Sequence, residues 1–172
     1  MSNEQTRLAQ TRSQASLIHT ITEFLIPVLA AAIALPLIGE LYLVSFEPAP
    51  WAAELGAPRA VAIKLLSYAP AIAGAAAVIM LRPIFAEFHQ GRFVSPRASA
   101  AYQLAGLWAL AALLLETLVT PLGVSLLGGA AFNWRFDPLD IALMAFAAAV
   151  MMIGQVLEAA AAALKAENDQ IV

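Results

Sequence analysis

Seven polar side chains interrupt stretches that are otherwise apolar: His19, Glu23, Glu40, Lys64, Glu116, Gln155 and Glu158. A charged or polar group at membrane depth is costly, and it is kept where a counter-charge, a watery cavity or a function holds it. His19 and Glu23 stand four residues apart, on one face of a helix, and Gln155 and Glu158 stand three apart on one face of another. In an antiparallel bundle these two pairs would meet, with His89 approaching from a loop. Glu40, Lys64 and Glu116 form a second layer toward the opposite end. A Lys64 ammonium flanked by one or two carboxylates reads as an ion pair fixing helix register. The competing readings are a carboxylate pair lining a cation or proton path, and side chains snorkelling to the interface.

Metal and catalytic chemistry find little to work with. His19 and His89 raise haem ligation, because paired imidazoles from separate helices hold iron in membrane bundles. His19 stands at the very start of an apolar run and His89 in a loop, however, where histidines ordinarily bond to neighbours or lipid headgroups. Zinc would need Glu23 and Glu87 as further ligands, so no cofactor and no metal are assigned. The sequence has no Gly-x-Ser-x-Gly, no His-Glu-x-x-His and no Gly-rich phosphate loop carrying Lys. Asp137 and Asp140 flank the start of one span with no Asp in the others, which argues against an intramembrane aspartyl protease. Cysteine is absent, which removes disulfides, thiolate sites and cysteine nucleophiles. The chain is expected not to be an enzyme.

The elements that must position these groups follow from composition. Of 172 residues 62% are hydrophobic and 12% charged, with a mean hydropathy of +0.80, too apolar for a soluble domain of this size. About 20 apolar residues cross the roughly 30 Å hydrocarbon layer as a helix. Four such spans are predicted at about residues 17–46, 59–88, 99–127 and 139–164, forming one membrane domain over 1–172. The fold class expected is all-α, an integral membrane four-helix bundle of antiparallel hairpins. Pro27 and Pro36 kink the first span and Pro70 and Pro83 lie in the second. Glu47 to Trp51 end the first, and Trp51 with Tyr42 suits an interfacial aromatic belt. Residues 128–138 form a second outer loop. Ala101, Ala105 and Ala109 recur every four residues, as a close-packing seam does, although an alanine-rich chain also produces that spacing by chance. Residues 1–16 read as a polar tail. A cleaved signal peptide is the competing reading, opposed by Glu23 and by the length of the apolar run. Net charge is −3 with no basic stripe, so direct nucleic-acid binding is not expected.

Arg7, Arg12, Arg82, Arg92, Arg97 and Lys165 fall on the side that holds both termini, against Arg59, Lys64 and Arg135 on the other. Basic residues collect on the cytoplasmic side, which puts both termini and the hinge at 88–98 inside. Gly91 there permits a tight turn, Pro96 suits the start of a helix, and Phe85, Phe88 and Phe93 can anchor the turn to the membrane surface. Phe88-His89-Gln90-Gly91-Arg92-Phe93 followed by Leu104-Ala105-Gly106, together with the ending from Ala163 to Val172, resembles the YoaS-like family of small bacterial membrane proteins. In that family a Phe-x-x-Gly-x-x-Phe type hinge follows the second span and the chain closes on a Leu-x-x-Glu-x-Asp-Leu-Thr-Val type tail. Gly91, Phe93, Leu164, Glu167 and Asp169 fit, whereas Gln170 and Ile171 depart from the usual Leu-Thr. The resemblance implies a four-helix inner-membrane protein, often encoded beside a small helix-turn-helix regulator.

These readings combine into an expected function. The chain should be a multi-pass protein of the bacterial inner membrane that docks a cytoplasmic partner through Gly91, Arg92, Phe93, Arg97, Glu167 and Asp169, with the acidic tail lying against the hinge arginines. The alternatives are a small oligomeric transporter or channel using Glu40, Lys64 and Glu116, and an accessory subunit of a larger membrane complex. Membrane lipids and a protein partner or second copy are the partners expected.

Overall fold

A computed structural model describes residues 3–92, 94–128 and 137–169. The order of elements is α1 (Asn3–Phe46), α2 (Pro50–Leu55), α3 (Ala57–His89), α4 (Pro96–Leu114), a π-helical turn (Leu115–Val119), α5 (Thr120–Gly128) and α6 (Pro138–Asp169). Among the described residues there is no strand, and four helical segments are long and apolar enough to cross a membrane: Thr20–Phe46, Ala57–His89, Pro96–Gly128 and Pro138–Glu167. The all-α, four-helix membrane bundle of antiparallel hairpins is therefore present. The second, third and fourth spans run one to three residues past their predicted ends, and two supposed tails are helical. α1 is already formed at Asn3, and α6 continues through Asp169. The second outer loop, apart from its two ends, lies outside the described residues.

Most of what is buried is small, with Val44, Ile63 and Ile84 as the larger apolar exceptions. Ala52, Ala60, Ala73, Ala98, Ala101, Ala105, Ala147 and Ser99 are hidden, while Phe24, Leu35, Ile38, Leu126, Phe146 and Val156 are exposed. A water-soluble protein sorts its residues the other way round. Lipid tails are as apolar as leucine, so helices in a bilayer gain by bringing backbones close over small residues and leave the large side chains to the lipid. The pattern supports a membrane solvent independently of hydropathy.

Packing follows chain order: α1 lies on α3, α3 on α4, and α4 on α6. Among the described residues α1 and α6 share no extensive contact, so the bundle is an open arc with these two helices at its ends. The short α2 starts with Pro50 at its first turn and stops at Gly56, whose φ of +81° turns the chain directly into α3.

Proline leaves its mark inside α3. Pro70 has no N–H, so the Leu66 carbonyl one turn earlier loses its helical donor. The Thr120 hydroxyl at the start of α5 donates to that carbonyl at 3.2 Å, and thus couples the two helices where one is broken. Gly123 packs here as well, against the Leu66 side chain.

Candidate functional site

The hinge between α3 and α4 is built from the backbone outward. Gly91 adopts φ +76°, the Gly91 N–H donates to Phe88 O at 2.9 Å and the Arg92 N–H to Glu87 O at 2.9 Å. This pair of bonds around a left-handed glycine is the Schellman end of a helix. The next helix opens with equal definition, because the Ser95 hydroxyl accepts from the Ala98 N–H at 3.1 Å and Pro96 occupies the first helical position. Across the turn the Arg92 guanidinium forks onto Glu87, with Nε to Oε2 at 2.8 Å and Nη2 to Oε1 at 2.9 Å. Glu87 is buried, at 3% exposure, and the Arg97 charge also acts on it. The hydrogen bonds to Glu87 raise Arg92 above its ordinary value, so this arginine stays charged.

The Arg92 fork is turned onto Glu87 and holds the hinge together. Glu167 is exposed near the end of the helical α6. The side chain of Asp169 lies outside the described residues, as does Phe93. Arg97 is exposed, and Val94 beside it is 41% exposed.

The remaining polar groups sort by helix pair, and they do so differently from the expected layers. Glu40 on α1 pairs with Lys64 on α3 at 2.7 Å, and the Tyr68 hydroxyl donates to Glu40 at 3.3 Å. Trp51 on α2 places its ring 5.5 Å from the Lys64 ammonium, a cation–π contact. Glu40, Lys64 and Trp51 line a pocket of about 190 Å³ that also includes Val44 and Glu47. At the other end of the same helices Glu23 meets Arg82 at 2.6 Å. Glu23 and Glu40 lie about 26 Å apart along α1, and Lys64 and Arg82 about 27 Å apart along α3, at 1.5 Å per residue. That separation is close to the roughly 30 Å hydrocarbon layer, so the two pairs mark the two faces of the membrane.

The hinge-side layer does not close across the bundle. Glu158 on α6 accepts from the Gln103 amide on α4 at 2.7 Å, while Glu23 is engaged by Arg82 across the α1–α3 seam, because α1 and α6 sit at opposite ends of the arc. Gln155 is exposed, and His89 is exposed at the end of α3. The His19 side chain lies outside the described residues, and among those residues no group of three His, Asp or Glu side chains comes together as a metal site would.

Glu116 is separate from Glu40 and Lys64. It lies in the π turn and lines a groove of about 410 Å³ with Ser67, Pro70, Ala71, Gly74, Ala112 and Thr120. The sequence reading missed the π turn, the Arg82–Glu23 and Arg92–Glu87 pairs, and the Thr120 bond. Two signals were available: a Glu and an Arg flanking the turn glycine, and Pro121, whose missing N–H disturbs the helix that contains Glu116.

No family model, curated protein or solved structure matches this chain.

Proposed function

We propose that this multi-pass membrane protein is a non-enzymatic interaction protein of the bacterial inner membrane, with both termini cytoplasmic, that docks a cytoplasmic partner on the hinge and the protruding end of α6. The observation that carries the reading is the preorganised hinge. The Schellman turn, the Ser95 cap and the Glu87–Arg92 fork fix the loop before any partner arrives, and a fixed loop loses little entropy on binding.

The neighbouring helix end supports it. Ser99 on α4 meets Gly154 on α6. From that crossing α4 runs only about 5 Å back to Pro96, whereas α6 runs on about 22 Å to Asp169, at 1.5 Å per residue. A basic, partly apolar loop with Arg97 and Val94 thus stands beside a helix end that carries Lys165 and Glu167. The side on which basic residues collect is the cytoplasmic one, and the resemblance to YoaS-like proteins points the same way, to a partner such as a small cytoplasmic regulator.

Arg97→Glu combined with Glu167→Arg is the test. The protein is isolated in mild detergent from its native membrane, and the stoichiometry of whatever accompanies it is read by mass spectrometry. A partner lost from the double variant while the helix content is unchanged supports docking. The same stoichiometry with both proteins, or no stoichiometric partner with either, overturns it. Arg92 is the wrong probe, since its loss would unfold the hinge.

A further inference from the structure

We propose that the groove around Glu116 binds a small monovalent cation at membrane depth. This goes beyond the docking reading and is independent of it.

Depth comes first. Thr120 is level with Leu66, and Glu116 lies one turn, about 6 Å, further from the Lys64 end. The carboxylate is therefore inside the layer bounded by the two ion pairs. Glu116 makes no hydrogen bond or ion pair with any described residue, and Lys64, the nearest basic residue along α3, is held by Glu40.

The lining chemistry is one-sided. The Ser67 hydroxyl donates to Ile63 O at 2.8 Å and the Thr120 hydroxyl to Leu66 O at 3.2 Å. Each hydroxyl has a single hydrogen, so both present only lone pairs to the groove. Pro70, also in the lining, has no N–H to offer. Pro121 removes a further donor from the turn that holds Glu116: the N–H of Thr120 reaches back to Leu115 O, and the next residue has none to give to Glu116 or Thr117. The exposed Glu116 carboxylate shares the groove lining with these acceptors, and the species attracted by a carboxylate and by hydroxyl lone pairs alike is a cation. A single carboxylate balances a single charge, whereas divalent sites usually gather several. π turns inserted in α-helices recur at functional sites for the same reason, since they free backbone groups from the helix ladder.

Sodium and the proton share this chemistry, and labelling separates them. A hydrophobic carbodiimide adds to a protonated carboxyl in an apolar phase, and the adduct rearranges to a stable N-acylurea with no atoms lost. The purified full-length protein in vesicles is treated with this reagent, and the modification of the Glu116 peptide is read by mass, with Glu116→Gln as the blank and ion-paired Glu40 as the internal reference. Labelling of Glu116 suppressed by sodium but not by choline at fixed pH identifies sodium, and Ser67→Ala should then weaken that protection about tenfold. Labelling that ignores sodium and, as pH falls, rises at Glu116 well before it rises at Glu40 and at exposed Glu158 identifies the proton. Labelling no greater than at Glu40, or indifferent to both sodium and pH, overturns the site.

Discussion

The α1–α3 seam and the α4–α6 seam join helices of similar length and composition by opposite means. α1 and α3 are pinned at both ends by ion pairs, Glu40–Lys64 and Glu23–Arg82, and between them lies an apolar groove of about 390 Å³ lined by Ala30, Ile33, Leu37, Ala75 and Ile79. α4 and α6 carry no ion pair between described residues and touch backbone to backbone. Ser99 faces Gly154 and Gly106 faces Ala147, so the contacts recur every seven residues on both helices, the spacing of a supercoiled pair. In lipid no hydrophobic force drives helices together, and association rests on close packing and polar contacts. The two seams thus use different devices: charges at the ends of the α1–α3 seam, where water lowers their desolvation cost, and close backbone approach along the α4–α6 seam.

The comparison breaks most sharply at the glycines. A Cβ on Gly106 would lie 2.7 Å from Ala147 O, and one on Gly154 would lie 2.9 Å from both Ser99 O and the Gln103 backbone nitrogen. Backbone atoms have nowhere to go, so Gly106→Val and Gly154→Val should each destabilise the fold by about 2–3 kcal/mol, the upper range for overpacking. Denaturing-detergent titration of helix content measures it. Wild-type stability in both would mean that α4 and α6 do not approach this closely.

A smaller effect is expected at the charged seam. Lys64→Met, Glu40→Gln and the double variant form a cycle that isolates the pair. Both side chains are part-exposed, at 27% and 39%, so a coupling of about 0.5–1 kcal/mol is expected, falling as salt is added. A coupling above that range that ignores salt would place the pair in the dry layer and remove the argument that the two ion pairs mark the membrane faces.

The four spans could be read from sequence because their signal is length and apolarity, which needs no knowledge of neighbours. Their partners could not, because helices apolar on every side present no hydrophobic face to be oriented by. Ala101 and Ala105 are buried as the four-residue spacing suggests, yet the tighter seam at Ser99 and Gly106 has a seven-residue period that was not sought. Glu116 was grouped with Lys64 by residue count alone. The register set by Thr120 and Leu66, together with the π turn, moves it away. At the hinge, Gly91 and Pro96 have the roles their types dictate, while Arg92 was counted for the tail although its natural partner, Glu87, stands five residues earlier on the other side of a helix-ending turn.

The finest test of the comparison is Ser99→Ala. Ser99 is 1% exposed and donates to Gly154 O at 2.9 Å, a carbonyl that α6 already engages within its own helix. Interhelical hydrogen bonds in membranes average about 0.6 kcal/mol, because the separated helices also find partners. Loss of the hydroxyl should therefore cost about that much, well below either glycine variant. A loss as large as that of Gly154→Val would mean that the hydrogen bond, and not backbone proximity, holds α6 to α4. In that case the two seams would differ only in the charge of their polar contacts.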